Sequence, residues 1–533
     1  MKQLNTLSAG IQTPEDSAPG FGYPVVAAAA APQLNPGNWR LPHKAPGLYD
    51  LPYPVREDVL AATLDCKGEE LSVAVDGLVP FPDEQLLRQF DRQQSPASMT
   101  AEQQRQLMLY NFIDNLVAVF DDLRWTAEQG AEKADDWFTT PRPVLAPLPW
   151  QEVCNMLRAP GEELRMDLIG KIASSFETVL FKLAASPHKV LHRQRQRQHL
   201  SRVQQLDAAC LSWLTRQPGI SAAQKAGARQ EILAVTRTEG YDTMENRVLK
   251  DMLRRCRHAA RLFLHQNRAH ADKARYRMVQ RFDQRCGAAL QSPVFAGIRN
   301  LAGVPQPNYV LLHDSAYREM WHWYLRLVKR ETATLDAWRW QHRLWADVVR
   351  LIVCSCLSGK ATRLPAQQYL WLRESATAGN WIESEDWPGP VMIGDGRTVV
   401  EAFCPATIPK SNYFGLPLAD WATVSGADLL LLQSDVNGAA RRCVFVWAVH
   451  SAQQSPDDAA LAELARLAES VLAKIDAPIA TGGIVIANAC FGVAESPVSQ
   501  AGTDEVQALR VSGQPDQWLE AVEQAHLRIF RDR

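Results

Sequence analysis

The stretch ADLLLLQSDVNGAARRCVFVWAVH, residues 427–450, decides the fold. Leu429 to Leu432 run without a polar interruption, and a second apolar run follows from Cys443 to Val449. Between them stand Asp435-Val436-Asn437-Gly438, residues that favour a tight turn. Two short apolar runs joined this way predict neighbouring strands in a sheet. Downstream, Pro456 to Ile475 carries Leu461, Leu464, Leu467, Val471 and Leu472 on one helical face. Ile484-Val485-Ile486-Ala487 after Gly482-Gly483 predicts a buried strand, and Gln517 to Phe530 predicts a closing helix. Strands, crossover helix and strand together predict an α/β domain. Just upstream, Val391-Met392-Ile393, the Gly394-Asp395-Gly396 turn and Val399 to Phe403 predict a hairpin.

Further towards the N-terminus the pattern is helical. Tyr317, Trp321, Trp323, Tyr324, Trp338, Trp340 and Trp345 lie on a helical stretch that runs into Val348–Cys356, with the spacing of a core stripe. Residues 243–288 predict one long helix or two, apolar along Val248, Leu249, Met252, Leu253, Ala259, Leu262 and Phe263. From about Ser95 to Arg237 the reading is also helical. Ser98-Met99-Thr100-Ala101-Glu102 offers a cap, and Leu164 to Ala184 predicts a helix with Leu168, Ile169, Ile172, Phe176 and Leu180 on one side. Leu71 to Val75 alternates as a strand does, and residues 1–50 are rich in Pro, Gly and Ala without a period.

The expected division is therefore 1–50, an extended or partly ordered arm; 51–95, a small β-containing module; 96–235, a helical domain; 236–362, a second helical domain; and 363–533, the α/β domain. A chain of 533 residues has room for about three domains at roughly 100–200 residues each. At 46% hydrophobic and 22% charged residues, the composition excludes a mainly disordered or collagen-like chain. No apolar run reaches the roughly 18 residues of a membrane span, and Met1 to Gly20 lacks the basic start and apolar core of a secretory signal. The ten cysteines are scattered, with only Cys354 and Cys356 close together, so they predict buried reduced thiols rather than a disulfide scaffold or a zinc site. The expectation is a cytoplasmic protein with no membrane partner.

Net charge is −2, yet residues 186–285 hold 21 Lys plus Arg against 8 Asp plus Glu, a local +13. A basic segment of this kind suits a phosphate backbone, although solvated helix faces would produce the same count. Arg193, Arg195, Arg197, Arg254, Arg257 and Arg261 are the expected phosphate contacts. His188, His192 and His199 lie in the first basic run without metal-ligand spacing and are expected to extend its positive face. Ser358-Gly359-Lys360 lacks the earlier Gly and following Ser or Thr of a phosphate loop, and neither H-E-x-x-H nor G-x-S-x-G occurs.

The segment Glu239-Gly240-Tyr241-Asp242-Thr243-Met244-Glu245-Asn246-Arg247-Val248-Leu249-Lys250 resembles a signature of McrC-like proteins, with Met244 where that family usually has Pro. Asn308 to Arg318 and the aromatic helix from Trp340 to Leu357 are similar to further segments of the same family. In that family a helical domain precedes a PD-(D/E)XK nuclease domain. The resemblance thus implies an α+β multidomain chain: a mainly helical middle, a restriction-endonuclease-like α/β C-terminal domain and the small β-containing N-terminal module. It also implies a prokaryotic antiviral defence or restriction system, with DNA, an AAA+ or helicase-type NTPase and other defence subunits as partners.

The nuclease chemistry requires an Asp on one strand and Asp/Glu-x-Lys on the next, which hold a divalent metal and activate water. Asp428 stands at the first position, but the next strand reads Trp447-Ala448-Val449-His450. Asp435, Glu401, His450, Lys474 and Glu469 are the groups that could replace the missing acid and Lys. Glu245, Asn246 and Arg247 form the family motif. Thr243 is placed to cap their helix, and Glu245 and Arg247 either to join a buried polar network between helices or to contact a ligand. The leading expectation is a non-catalytic, DNA-associated subunit with a degenerate nuclease site and no cofactor. The alternatives are an active metal-dependent endonuclease using Mg and Asp428, and a protein–protein scaffold.

Overall fold

The computed structural model describes residues 99–134, 145–158 and 166–359 without interruption, most of 361–512, and short stretches within 6–87 and 518–522. The architecture is mixed α+β. It divides into two compact units: Met1–Leu168 together with Lys329–Arg533, and Ile169–Val328.

In the first unit, the segment expected as an arm contributes short strands. Thr6–Ser8, Val25–Ala27, Leu48–Asp50 and His43–Ala45 pair in that order, and Leu60–Cys66 forms a hairpin with Glu69–Val75. Helix α1 (Ala101–Ala134) begins at Thr100, whose Oγ accepts from the Gln103 N–H while Gln103 Oε1 accepts from the Thr100 N–H. Strand β1 (Leu145–Pro149) leads into α2 (Trp150–Leu157).

In the second unit the helical reading of residues 96–235 is corrected over Val190–His199 and from Glu231 onwards, which are strands. Leu168–Lys171, Ile172–Phe176 and α3 (Glu177–Ala185) form the expected helix, with a π-helical turn in its middle. The chain then forms β2 (Val190–His199), α4 (Ala208–Thr215) and β3 (Glu231–Gly240). β2 and β3 pair antiparallel over their full length, from Val190↔Gly240 to His199↔Glu231. The first basic run is thus a two-stranded ribbon, and the expected boundary at 235/236 falls inside β3. Residues 243–288 become two helices, α5 (Met244–Gln266) and α6 (Ala274–Leu290).

Helix α7 (Ser315–Arg339) carries the chain back to the first unit, where α8 (Gln341–Gly359) follows. Trp338 and Trp345 are fully buried, and Trp321, Trp323 and Trp340 nearly so, as a core stripe requires. The strands that follow are β4 (Ala361–Arg363), β5 (Tyr369–Thr377), β6 (Asn380–Ile382), β7 (Val391–Ile393) and β8 (Thr398–Phe403). After α9 (Leu418–Ser425) come β9 (Leu429–Asp435), β10 (Ala440–Val449), α10 (Asp458–Leu472), β11 (Ala480–Ala489), β12 (Ser499–Gly502) and β13 (Val506–Ser512). They build one eight-stranded sheet in the order β4-β7-β8-β9-β10-β11-β13-β12, while β6-β5-β1 forms a separate small sheet. β9 and β10 are antiparallel, and α10 makes the crossover from β10 to the parallel β11. Most of the closing helix expected over 517–530 lies outside the described residues.

Both faces of the central strands are covered. Leu430, Leu432, Phe445, Trp447 and Val485 pack with Leu461, Ala465, Ala468 and Val471 of α10. Leu429, Leu431, Val444, Val446 and Ile486 alternate with them and are also fully buried. α8 packs against β10, and Trp345 Nε1 donates to the Ile486 carbonyl at 3.1 Å. A fully buried leucine contributes about 1.5–3 kcal/mol, but a strand that is apolar on both faces does not select its own register. The turn does so: Asp435 Oδ1 accepts from the Asn437 and Ala439 N–H groups, and Gly438 takes φ +82°. A side chain at Gly483 would meet Trp447 Cζ3 at 2.8 Å, so that glycine lets the indole pack against β11.

Candidate functional site

Asp428 is delivered by the end of α9. Gly426 closes that helix in the left-handed region at φ +61°, and its N–H donates to the Ala422 carbonyl. The Asp428 N–H then donates to the Val446 carbonyl at 2.8 Å, and its Oδ2 accepts the Ala448 N–H at 2.9 Å. The carboxylate therefore lies against β10 beside Ala448, with His450 two residues on; neither supplies the acid or Lys of the nuclease motif.

The proposed replacements do not gather at Asp428. Asp435 is tied into the turn at the far end of β9, and Glu401 accepts from Tyr413 Oη at 2.9 Å. Glu469 accepts from Thr503 Oγ1 at 2.7 Å. His450 Nε2 donates to Gln341 Oε1 at 2.6 Å, and burial pushes its pKa down to about 3, so the ring is neutral at pH 7. Lys474 belongs to the turn after α10, where its N–H donates to the Val471 carbonyl.

Around Asp428 the fold assembles residues that no motif marked. Lys44 Nζ, from the strand His43–Ala45, lies 3.6 Å from Asp428 Oδ1, and both side chains are largely buried. Asp50 forms an ion pair with Arg343, and Arg350 Nε donates to the Asp428 carbonyl at 3.0 Å. Lys44, Asp50, His342, Arg343, Arg350, Asn380, Cys404 and Asp428 line a cavity of about 220 Å³. Burial alone would raise the Asp50 pKa, but Arg343, His342 and Lys44 outweigh it and hold the carboxyl well below the usual range. Burial lowers the pKa of His342 despite Asp50 beside it. Asp347 lies behind Arg350, accepts from its Nη1 at 3.1 Å and from the Trp381 N–H at 2.7 Å, and has a raised pKa because it is buried.

These residues do not fit a magnesium ion, which takes oxygen ligands in near-octahedral geometry. One Asp428 oxygen holds a backbone amide, the other faces an ammonium, and the Arg350 guanidinium binds the main-chain carbonyl of the same residue. Among the described residues no group of three His, Cys, Asp or Glu could hold a metal. The arrangement pairs buried charges and holds the Lys44 strand against the end of the sheet. Its two carboxylates, Asp428 and Asp50, each face a cation, Lys44 and Arg343.

The second candidate lies in Ile169–Val328. That unit carries 26 Lys plus Arg against 11 Asp plus Glu, a net +15, and leaves −17 for the rest of the chain. Arg193, Arg195 and Arg197 alternate along β2 and so share one face of the ribbon. Arg193 is exposed, Arg195 pairs with Asp207 at 2.7 Å, and Arg197 lies over the Trp213 ring at 5.6 Å. Arg254 is exposed on α5, whereas Arg257 and Arg261 both reach Asp283 on α6, at 3.5 and 3.3 Å. Of the six expected phosphate contacts, those two are thus committed to holding the helices together. His188 and His199 also have local roles: His199 Nδ1 meets Ser201 Oγ, and His188 Nδ1 donates to Glu245 Oε1 at 2.5 Å.

The motif Glu245-Asn246-Arg247 builds the anticipated network. Glu245 Oε2 also accepts from Asn308 Nδ2 at 2.7 Å. Asn246 donates to the His188 and Tyr241 carbonyls and accepts from Tyr317 Oη, and Arg247 grips Asp242 through two nitrogens at 2.7 and 2.9 Å. Thr243 occupies the position before α5, but its side chain makes no capping hydrogen bond to the helix. The triplet thus knots the start of β2, the start of α5 and the segment at Asn308–Tyr317.

Among the described residues no helix is long and apolar enough to cross a membrane. The eight described cysteines are all buried and none is in a disulfide. No curated protein matches the chain. One family does, over residues 158–324: it is described as a domain of unknown function, DUF2357, and its span takes in both basic runs and the Glu245-Asn246-Arg247 knot.

Proposed function

We propose that the chain is a non-catalytic, DNA-associated subunit of a prokaryotic antiviral defence or restriction system, working beside an NTP-driven motor. The observation that carries the DNA contact is the segregation of charge: +15 in the compact unit Ile169–Val328 of a chain whose total is −2. A field of that sign draws a polyanion and gives affinity through counterion release. The non-catalytic reading is supported by the surroundings of Asp428, where Ala448 and His450 stand in place of the acid and Lys and an ammonium faces the carboxylate. The motor and the defence setting come from the McrC-like resemblance.

The test incubates the purified chain with labelled single- and double-stranded DNA, with magnesium and then manganese, at two salt concentrations. The expected result is binding without cutting. With about four phosphate contacts, affinity falls on the order of a hundredfold between 50 and 200 mM salt. Arg193→Glu with Arg254→Glu, two exposed positions with no described ion-pair partner, weakens binding without altering the melting temperature. Metal-dependent cutting that disappears in Asp428→Ala would make the chain an endonuclease. Absent or salt-independent binding would move the weight to a protein scaffold.

A further inference from the structure

The hairpin of the ribbon is not closed by a short turn. Residues 200–230 separate β2 from β3 and end the ribbon with α4 and the helical turn Ala222–Lys225. This cap holds Arg202, Arg216, Lys225 and Arg229 against one acid, Asp207, which Arg195 already neutralises. On the cap, the sequence Pro218-Gly219-Ile220 presents an isoleucine that is 97% exposed.

That exposure belongs to an ordered loop. The Ile220 and Ser221 N–H groups both donate to Gln224 Oε1, at 2.9 and 3.2 Å, and Ser221 Oγ accepts the Gln224 N–H at 3.3 Å. Gly219 takes φ +125°, and a side chain there would meet Gln224 Cβ at 2.7 Å, so only glycine allows this turn. The fold thus fixes a β-branched apolar side chain in water, where it gains nothing from burial, on a segment whose charged side chains are four cations and Asp207.

We infer that Ile220 is a wedge that enters between base pairs of double-stranded DNA, with Arg202, Arg216 and Arg229 of the same cap on the flanking phosphates. Apolar side chains used this way unstack adjacent base pairs and kink the duplex, and cationic neighbours supply the affinity that offsets the unstacking. The charge pattern favours this occupant, since a single apolar side chain buries too little surface to anchor a bilayer. The inference rests on the DNA reading proposed for the same unit.

The experiment uses the full chain and two duplexes that differ only by a central one-base bulge, where unstacking costs least. Wild type is expected to prefer the bulged duplex by about tenfold. Ile220→Ala is expected to bind both duplexes equally while keeping the salt dependence of the wild type. An exposed position leaves folding untouched, and matching thermal melts check this. Equal affinity of the wild type for the two duplexes would overturn the wedge and leave the DNA reading standing. Failure to bind either duplex would remove the DNA reading and the wedge with it. Capture by phosphatidylserine vesicles that depends on Ile220, without any bulge preference, would overturn the proposal in favour of a lipid surface.

Discussion

His450 is buried beside Gln341, with its ring stacked on Phe112 at 6.1 Å between centroids. Its Nδ1 has no hydrogen-bond partner, so protonation of the folded state would place an uncompensated charge in the core. Burial accordingly lowers its pKa from 6.5 to about 3. Between those two values the unfolded chain binds a proton that the folded chain does not. The contribution of His450 is therefore complete above pH 6.5 and is lost as the pH falls. At pH 5 the loss is about 2 kcal/mol. His450→Gln, whose amide can still donate to Gln341, should flatten the decline in stability between pH 7.5 and pH 5 by that amount. Parallel urea titrations at the two pH values measure it; identical pH dependence in variant and wild type would show that His450 charges freely in the folded chain.

At the scale of elements, the knot around Glu245 joins segments that helix propensity alone leaves independent. The carboxylate accepts from His188 and Asn308 at the first turn of α5, where a negative charge also meets the positive end of the helix. Charge-assisted hydrogen bonds of this kind contribute about 1.5–3 kcal/mol each. Glu245→Ala should destabilise the unit Ile169–Val328 by about 2–4 kcal/mol, read as a lower midpoint in chemical denaturation of the full chain. A shift below about 0.5 kcal/mol, the size of an ordinary surface substitution, would show that the triplet holds nothing. The knot was partly legible, because a polar triplet at a helix start must find partners. The ribbon was not. Val190–His199 alternates Arg and Gln through most of its length, so it has no apolar face with a period to read. Its strand character comes from β3, where Ile232, Ala234 and Val235 are buried about forty residues downstream.

For the whole molecule, two compact units in one chain predict two calorimetric transitions rather than one, because cooperativity follows continuous packing. Duplex DNA at about a hundred times its dissociation constant should raise the stability of the unit it binds by about 2.7 kcal/mol. The proposal assigns that shift to Ile169–Val328, followed by the melting transition that Glu245→Ala lowers. A DNA-induced shift confined to the other transition would place the nucleic acid elsewhere and remove the basic unit from its assigned role.

The amino-acid sequence determined by itself what depends on neighbours in the chain: apolar runs that can only be buried strands, the crossover helix between them, the tryptophan stripe and the local excess of arginine. Only the tertiary structure decided which charges meet. Lys44 and Asp50 lie near one end of the chain, His342, Arg343 and Arg350 on α8, and Asp428 at the start of a strand; no local spacing relates them. It likewise divided the arginines into those turned to solvent and those, Arg257 and Arg261, engaged by Asp283. A hydrophobic period is a property of consecutive residues, whereas a charge pair is a property of distance in space. Segments far apart in sequence reach that distance only when burial of the core brings them together.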